Sequence, residues 1–146
     1  MPDAQLGENP VRVIVIEDNA DDCELLLRQL KKSGMDGHVK FIANGQEAFD
    51  FLTGPRASTL AEELIAIFLD LKLPSLNGLE LLRRIRERNE LQRLPVIVMT
   101  SSNDPKDIEE CHRLKVINYV PKPISFSTFS KAVADIFHLP EGSQQR

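Results

Sequence analysis

The chain has 146 residues, about one domain by length, and its 18 Lys+Arg against 22 Asp+Glu leave a net charge of −4. Hydrophobic residues at 42% and charged residues at 27% can fill a core, which excludes disordered, collagen-like and low-complexity readings. The longest apolar run, Leu64 to Leu69, is far below the about 20 residues that cross a bilayer, and the acidic balance argues against a nucleic-acid surface: no membrane and no nucleic acid are expected.

The first ten residues, MPDAQLGENP, hold two acids and two prolines and no apolar stretch. They read as a tail over 1–10 with no secretory signal, and a cytoplasmic location follows, in which Cys23 and Cys111 are free thiols packed in the core. A domain over 11–139 alternates two kinds of segment. Val11 to Ile16, Val39 to Ala43, Leu64 to Leu69, Pro95 to Thr100 and Val116 to Val120 are short, β-branched and without polar alternation, as strands covered on both faces should be. Between them run helical stripes: Cys23, Leu26, Leu27 and Leu30; Leu79, Leu82 and Ile85; Ile108, Cys111 and His112.

Thr53 to Glu62, TGPRASTLAE, reads as a loop before the third strand. Arg83, Arg84, Arg86, Arg88 and Arg93, interspersed with Leu82, Ile85 and Glu87, read as a solvated helix face, with a docking patch as the alternative. The last helix carries Phe129, Ala132, Val133, Ile136 and Phe137 on one side, behind a Ser125 or Ser127 cap and before Pro140; residues 140–146 read as a tail. Five strand-helix pairs with right-handed crossovers predict an α/β, flavodoxin-like, doubly wound (βα)5 fold with a five-stranded parallel sheet in the order 2-1-3-4-5.

Ligands in such sheets bind beyond the carboxyl ends of the strands. The first strand runs into Glu17 and Asp18, the third into Asp70, and in this order the two strands are neighbours. One acid after a strand is ordinarily a helix cap, a role open to Asp18 or Asn19. Three carboxylates together repel one another and call for a cation, and oxygen-only ligation with waters retained suits Mg²⁺ better than Ca²⁺. The fourth strand delivers Thr100 and Ser101 and the fifth Lys122 to the same edge. A metal, an ammonium, a hydroxyl and three carboxylates suit phosphoryl transfer to a carboxylate, with Asp70 as the nucleophile.

On these residues the chain resembles the response-regulator receiver domain of two-component signalling, from about Val11 to Phe137. Glu17 and Asp18 resemble the receiver's acidic pair, although Glu17 stands where Asp is frequent and its longer arm suits metal-bound water. Asp70 in IFLDLKLPSLNGLELL matches the phosphoacceptor, with Pro74 and Gly78 at the family's offsets; Thr100, Tyr119 and Lys122-Pro123 match the hydroxyl, the aromatic switch and the Lys-Pro pair. The resemblance implies a metal site of Glu17, Asp18, Asp70 and the Lys72 backbone carbonyl, phosphoryl contacts from Thr100, the Ser101 N–H and Lys122, and a cis Lys122-Pro123 bond with Lys122 pointing inward.

It also implies a phosphoprotein that is reset after each signal, not a turnover enzyme. Its donor is a sensor histidine kinase, since His38, His112 and His138 are scattered away from the site. The stretch from Phe51 to Leu64 and the TSSNDPKDI run resemble single-domain regulators associated with bacterial and cyanobacterial phytochromes, which points to a bacteriophytochrome as the kinase. In the expected switch, Thr100 moves toward phosphate and Tyr119 follows. The last helix then supports a homodimer through the face formed by the helix around Ile108, the fifth strand and the last helix. Two rivals are a phosphate-independent receiver-like binding module and a haloacid-dehalogenase-type phosphatase, whose second Asp, two residues after the nucleophile, is Lys72 here.

Overall fold

Five runs of β-branched and aliphatic residues form one parallel sheet: β1 Val13–Ile16, β2 Val39–Ile42, β3 Ala66–Asp70, β4 Val96–Thr100 and β5 Asn118–Pro121, in the spatial order β2-β1-β3-β4-β5. The computed structural model describes residues 10–101, 103–134 and 136. The flavodoxin-like, doubly wound topology is thus the one the alternation of elements predicts. Helices α1 Ala20–Lys32, α2 Gly45–Leu52, α3 Ala57–Glu63, α4 Gly78–Glu87, α5 Pro105–Arg113 and α6 Phe126–Val133 connect and cover the strands. None of the described helices is long and apolar enough to cross a membrane.

Successive side chains of a strand point to opposite faces, and the sheet divides its core accordingly. Val13 and Val15, Ala66 and Phe68, and Ile97 and Met99 pack with Leu26 and Leu30 of α1 and Phe129 and Val133 of α6. Ile14 and Ile16, Ile67 and Leu69, and Val96 and Val98 pack on the other side with Leu60, Leu82, Ile85 and Cys111. The three central strands are buried throughout, but the outer two are not: Lys40 and Phe41 of β2 and Asn118 of β5 are exposed, as edge strands with one neighbour must be. Coverage on both faces therefore holds for β1, β3 and β4 only.

Side-chain caps start five of the six helices among the described residues. Asn19, Asn44 and Asn77 accept the backbone N–H groups of Asp22, Glu47 and Glu80, and Asp104 accepts that of Lys106. Ser125, not Ser127, caps α6 in a capping box with Thr128. Such caps satisfy N–H groups that the first turn leaves free. Phe129, Ala132 and Val133 of the predicted stripe are buried and Ile136 packs against them; Phe137 and the proposed stop at Pro140 lie outside the described residues.

Two expectations need correction. The turn residues Thr53 to Arg56 do form a turn, but Ala57–Glu63 is helix α3 with no side-chain cap. Its Ala, Leu and Glu residues favour helix, and it is held by Leu60, fully buried in the core, a tertiary contact invisible to a local reading. The arginine run is also not simply a solvated face. Arg83 bonds Glu80 and, across helices, Glu110 of α5; Arg84 bonds Glu80.

Arg86 is half-buried and has no carboxylate partner among the described residues. Its guanidinium donates to the carbonyl oxygens of Leu114 at 2.7 Å, Leu94 at 2.8 Å, Gln92 at 3.0 Å and Lys115 at 3.2 Å, tying the segments that enter β4 and β5. Only a planar fork of donors reaches four acceptors at once.

At the other end of α4, Gly78 donates its N–H to Leu71 O at 2.9 Å. A Cβ there would lie 2.2 Å from the Asp70 carbonyl oxygen and 2.6 Å from Leu71 Cα. Only glycine lets this helix start approach the end of β3 so closely.

Two stability predictions follow from these contacts. Gly78→Ala should lower unfolding free energy by about 2 kcal/mol or more, because the obstructing atoms are backbone; an unchanged melting temperature would refute the close approach. Arg86→Lys should cost about 2–4 kcal/mol in urea denaturation, since one ammonium leaves carbonyl acceptors unpaired. A loss below about 0.5 kcal/mol would mean that those carbonyls need no fork.

Candidate functional site

The register of the sheet assembles the site. Ile16 of β1 lies opposite Leu69 of β3, so Glu17 and Asp70, the next residues along, leave the sheet side by side. Their sequence parity continues Val13 and Val15 and continues Ala66 and Phe68, which face α1 and α6. Asp70 pairs with Met99, and Thr100 with Pro121, so the ends of β4 and β5 bring Thr100 and Lys122 to the same edge. The Lys122-Pro123 peptide bond is cis.

Glu17, Asp70 and Thr100 are buried, while Asp18 is exposed. Glu17, Asp18 and Asp70 each offer a carboxylate oxygen, and these atoms lie within 4.8 Å of one another. The Lys122 ammonium sits beside them, 2.7 Å from Glu17 Oε1, 2.8 Å from Asp22 Oδ2 and 3.1 Å from Asp70 Oδ2. The backbone N–H of Asn19 donates to Glu17 Oε2 at 3.0 Å, and that of Lys72 to Asp70 Oδ1 at 3.2 Å. The Lys72 side chain itself is exposed.

Three carboxylates, those of Glu17, Asp22 and Asp70, thus share one ammonium, with the Asp18 carboxylate beside them. Burial pushes the Glu17 carboxyl up from 4.5 to about 7, assisted by the charge of Asp70 and opposed by Lys122 and the Asn19 N–H. Burial alone would lower the Lys122 pKa, but its close contacts with Asp22 and Glu17 and the charge of Asp70 outweigh that and hold it well above the ordinary lysine value. Glu17 Oε1 makes no hydrogen bond of good angle although the ammonium is 2.7 Å away, so the contact is charge to charge. A buried carboxylate oxygen without a directed donor, next to two more carboxylates, fits a hard divalent cation with oxygen ligands.

Of the residues singled out in the sequence, Glu17, Asp18, Asp70 and Lys122 come together. Thr100 ends the adjacent strand, fully buried, and Ser101 follows it at the surface. Tyr119 is half-buried against the core cluster on the face of Val98, its register partner. Asp22 is the site residue that sequence reading missed: an acid in a helix's first turn looks like a complement to the helix dipole. Its only signal is the spacing E-D-N-x-x-D, which puts it one turn into α1 over the same edge. Cys111 is core, but Cys23 is only half-buried and donates weakly to Glu17 O at 3.6 Å. Burial and then the surrounding acids raise its thiol pKa to about 11, which keeps it protonated and unreactive.

Comparison with known proteins agrees with this architecture. The family model of the response regulator receiver domain matches residues 13–134. Response regulator Rcp1 of Synechocystis is 31% identical over 135 residues, covering 92% of this chain and 87% of its own. A crystal structure of Rcp1 in its Mn²⁺-bound form superposes with a TM-score of 0.75 over 90% of this chain and 100% of that one, at 27% identity. The bacteriophytochrome response regulator RtBRR gives 0.74 at 35% identity, over 88% of this chain and 78% of that one. The phosphorylated cyanobacterial phytochrome response regulator RcpA gives 0.71 at 28% identity, over 91% and 100%.

The raised Glu17 pKa has a measurable consequence. Folded Glu17 binds its proton more tightly than unfolded Glu17, so this group's contribution to stability declines as pH rises from about 4.5 to about 7 and then levels. In the presence of EDTA, wild type should lose up to about 3 kcal/mol more than Glu17→Gln between pH 5 and pH 8. Equal losses in the two proteins would show that Glu17 is not strained in the metal-free site.

Proposed function

Because the chain belongs to the response regulator receiver domain family, we propose that it takes a phosphoryl group onto Asp70 from a sensor histidine kinase in a Mg²⁺-dependent reaction. The observation that carries this reading is the buried Asp70 carboxylate grouped with an acidic pair and the Lys122 ammonium. Side-chain oxygens of Glu17, Asp18 and Asp70 and the backbone carbonyl of Lys72 would hold the ion. A bound Mg²⁺ would supply positive charge that relieves the repulsion between the carboxylate and the incoming phosphoryl group.

An Asp70 carboxylate oxygen attacks phosphorus. The new O–P bond forms as the P–N bond to the donor imidazole breaks, its electron pair returning to nitrogen. Lys122 follows the charge outward, its ammonium passing from Asp70 Oδ2 to a phosphoryl oxygen. The Thr100 hydroxyl and the Ser101 N–H take the remaining oxygens, donors positioned where charge develops. Movement of Thr100 frees space on the face it shares with Tyr119, whose ring turns inward. That redistributes a two-state equilibrium across the face of α5, β5 and α6.

This makes the protein a cytoplasmic signalling module reset by hydrolysis, not a turnover enzyme. Ile117, 42% exposed where the chain enters β5, gives that face an apolar contact for a homodimer. Likeness to the bacteriophytochrome response regulator RtBRR and the phytochrome response regulator RcpA supports a phytochrome-type kinase as the partner. Retention of a complete acid, hydroxyl and lysine set argues against a phosphate-independent binding module, and Lys72, where a haloacid-dehalogenase-type phosphatase has its second Asp, argues against that enzyme.

Incubation with acetyl phosphate and Mg²⁺ should add one phosphoryl mass to wild type and none to Asp70→Asn. The adduct should decay slowly after the donor is removed. Absence of the adduct from wild type, or its undiminished presence on Asp70→Asn, overturns the assignment; continuous release of phosphate with no adduct would identify a phosphatase instead.

A further inference from the structure

The Lys122 ammonium pairs with three carboxylates within 3.1 Å, and the three are not equivalent. Glu17 and Asp70 belong to the group whose oxygens converge within 4.8 Å; Asp22 does not. Asp22 comes from the first turn of α1, so the element that holds it differs from the strand ends that hold the others. Its position is fixed by a closed ring of contacts. The Asn19 N–H donates to Glu17 Oε2, Asn19 Oδ1 accepts the Asp22 N–H at 2.9 Å, Asp22 Oδ2 meets Lys122 Nζ at 2.8 Å, and Nζ returns to Glu17 Oε1 at 2.7 Å. Lys122 and Asp22 have side-chain exposures of 14% and 18%, so the pair is largely shielded from water, where ion pairs are screened less.

We propose that Asp22 is a positioning residue that tethers the Lys122 ammonium when Glu17 and Asp70 are committed to a metal ion and a phosphoryl group. The inference rests on the reading of the preceding subsection and deepens it. An ammonium has three donors and no acceptor. Charge neutralisation of Glu17 and Asp70 would withdraw two of its three partners, and a nearby divalent ion would repel it. Asp22 stands outside the converging oxygens and keeps its charge for Lys122. Loss of that anchor lets the four-carbon stem swing toward solvent, where its entropy is regained, and leaves the incoming phosphoryl oxygens without a prepositioned cation.

Asp22→Asn preserves size and leaves the backbone cap on Asn19 intact, because the cap uses the Asp22 N–H and not its side chain. Phosphoryl uptake from acetyl phosphate with Mg²⁺ should fall roughly tenfold in Asp22→Asn, in line with the cost of misplacing a catalytic group, and recover in part in Asp22→Glu. In a Lys122→Ala background, the same substitution should cause no further fall, as required if Asp22 acts through Lys122. Independently of uptake, the ¹⁵N-lysine spectrum of Mg²⁺-loaded protein should show a slowly exchanging Lys122 ammonium in wild type that is lost in Asp22→Asn.

Wild-type uptake by Asp22→Asn, or an equal fall in both backgrounds, overturns the tether; the latter would mean that Asp22 acts through overall charge. If wild type itself takes up no phosphoryl group, the receiver assignment of Asp70 fails. The ammonium signal still decides the tether in that case, and its persistence in Asp22→Asn overturns it.

Discussion

Crowded negative charge at one edge of a parallel sheet is the constraint around which the rest of this protein is arranged. Glu17, Asp22 and Asp70 share the Lys122 ammonium, with the Asp18 carboxylate beside them, and burial raises the Glu17 pKa to about 7. Carboxylates left in that condition weaken a fold, because each must be desolvated against its neighbours. The local architecture offsets part of the cost with backbone N–H groups from Asn19 and Lys72. The remaining imbalance makes the site receptive to a divalent cation.

The alternation of strand side chains separates two duties. Parity along β1 and β3 sends Glu17 and Asp70 toward the layer of α1 and α6, and α1 accordingly contributes Asp22. Parity along β4 aligns Thr100 with Val96 and Val98, the layer where Tyr119 packs. Under the proposed reading, charge chemistry belongs to one face and mechanical readout to the other, with Thr100 at the boundary. A continuous, closely packed sheet between them is a suitable transmitter, since packed interiors shift between discrete arrangements more readily than they deform.

Away from the site, the arginines of α4 connect elements that the sheet alone does not hold. Arg83 reaches Glu110 of α5, whose carboxyl Arg113 and Arg83 hold below the usual range. Arg86 gathers carbonyl groups from the entries to β4 and β5. The Arg86 contacts lie at the end of the sheet opposite the carboxylates.

Much of this was legible in the sequence because it depends on local periodicity and strand order. Apolar runs alternating with helical stripes define the sheet, and acids directly after the first and third strands must emerge together once those strands are neighbours. The limits lie where long-range contact decides. Helix α3 looked like a loop because its residues are mixed and its stabilising partner for Leu60 is distant in the chain. Arg86 looked solvated because backbone carbonyls, which every residue has, leave no mark in the sequence. Asp22 was missed because its partner, Lys122, follows 100 positions later. Sequence alone determined which groups arrive at the edge, since covalent order and side-chain period settle that; only the tertiary structure decided which of them touch, since desolvation and pairing depend on what the folded chain brings within a few ångströms.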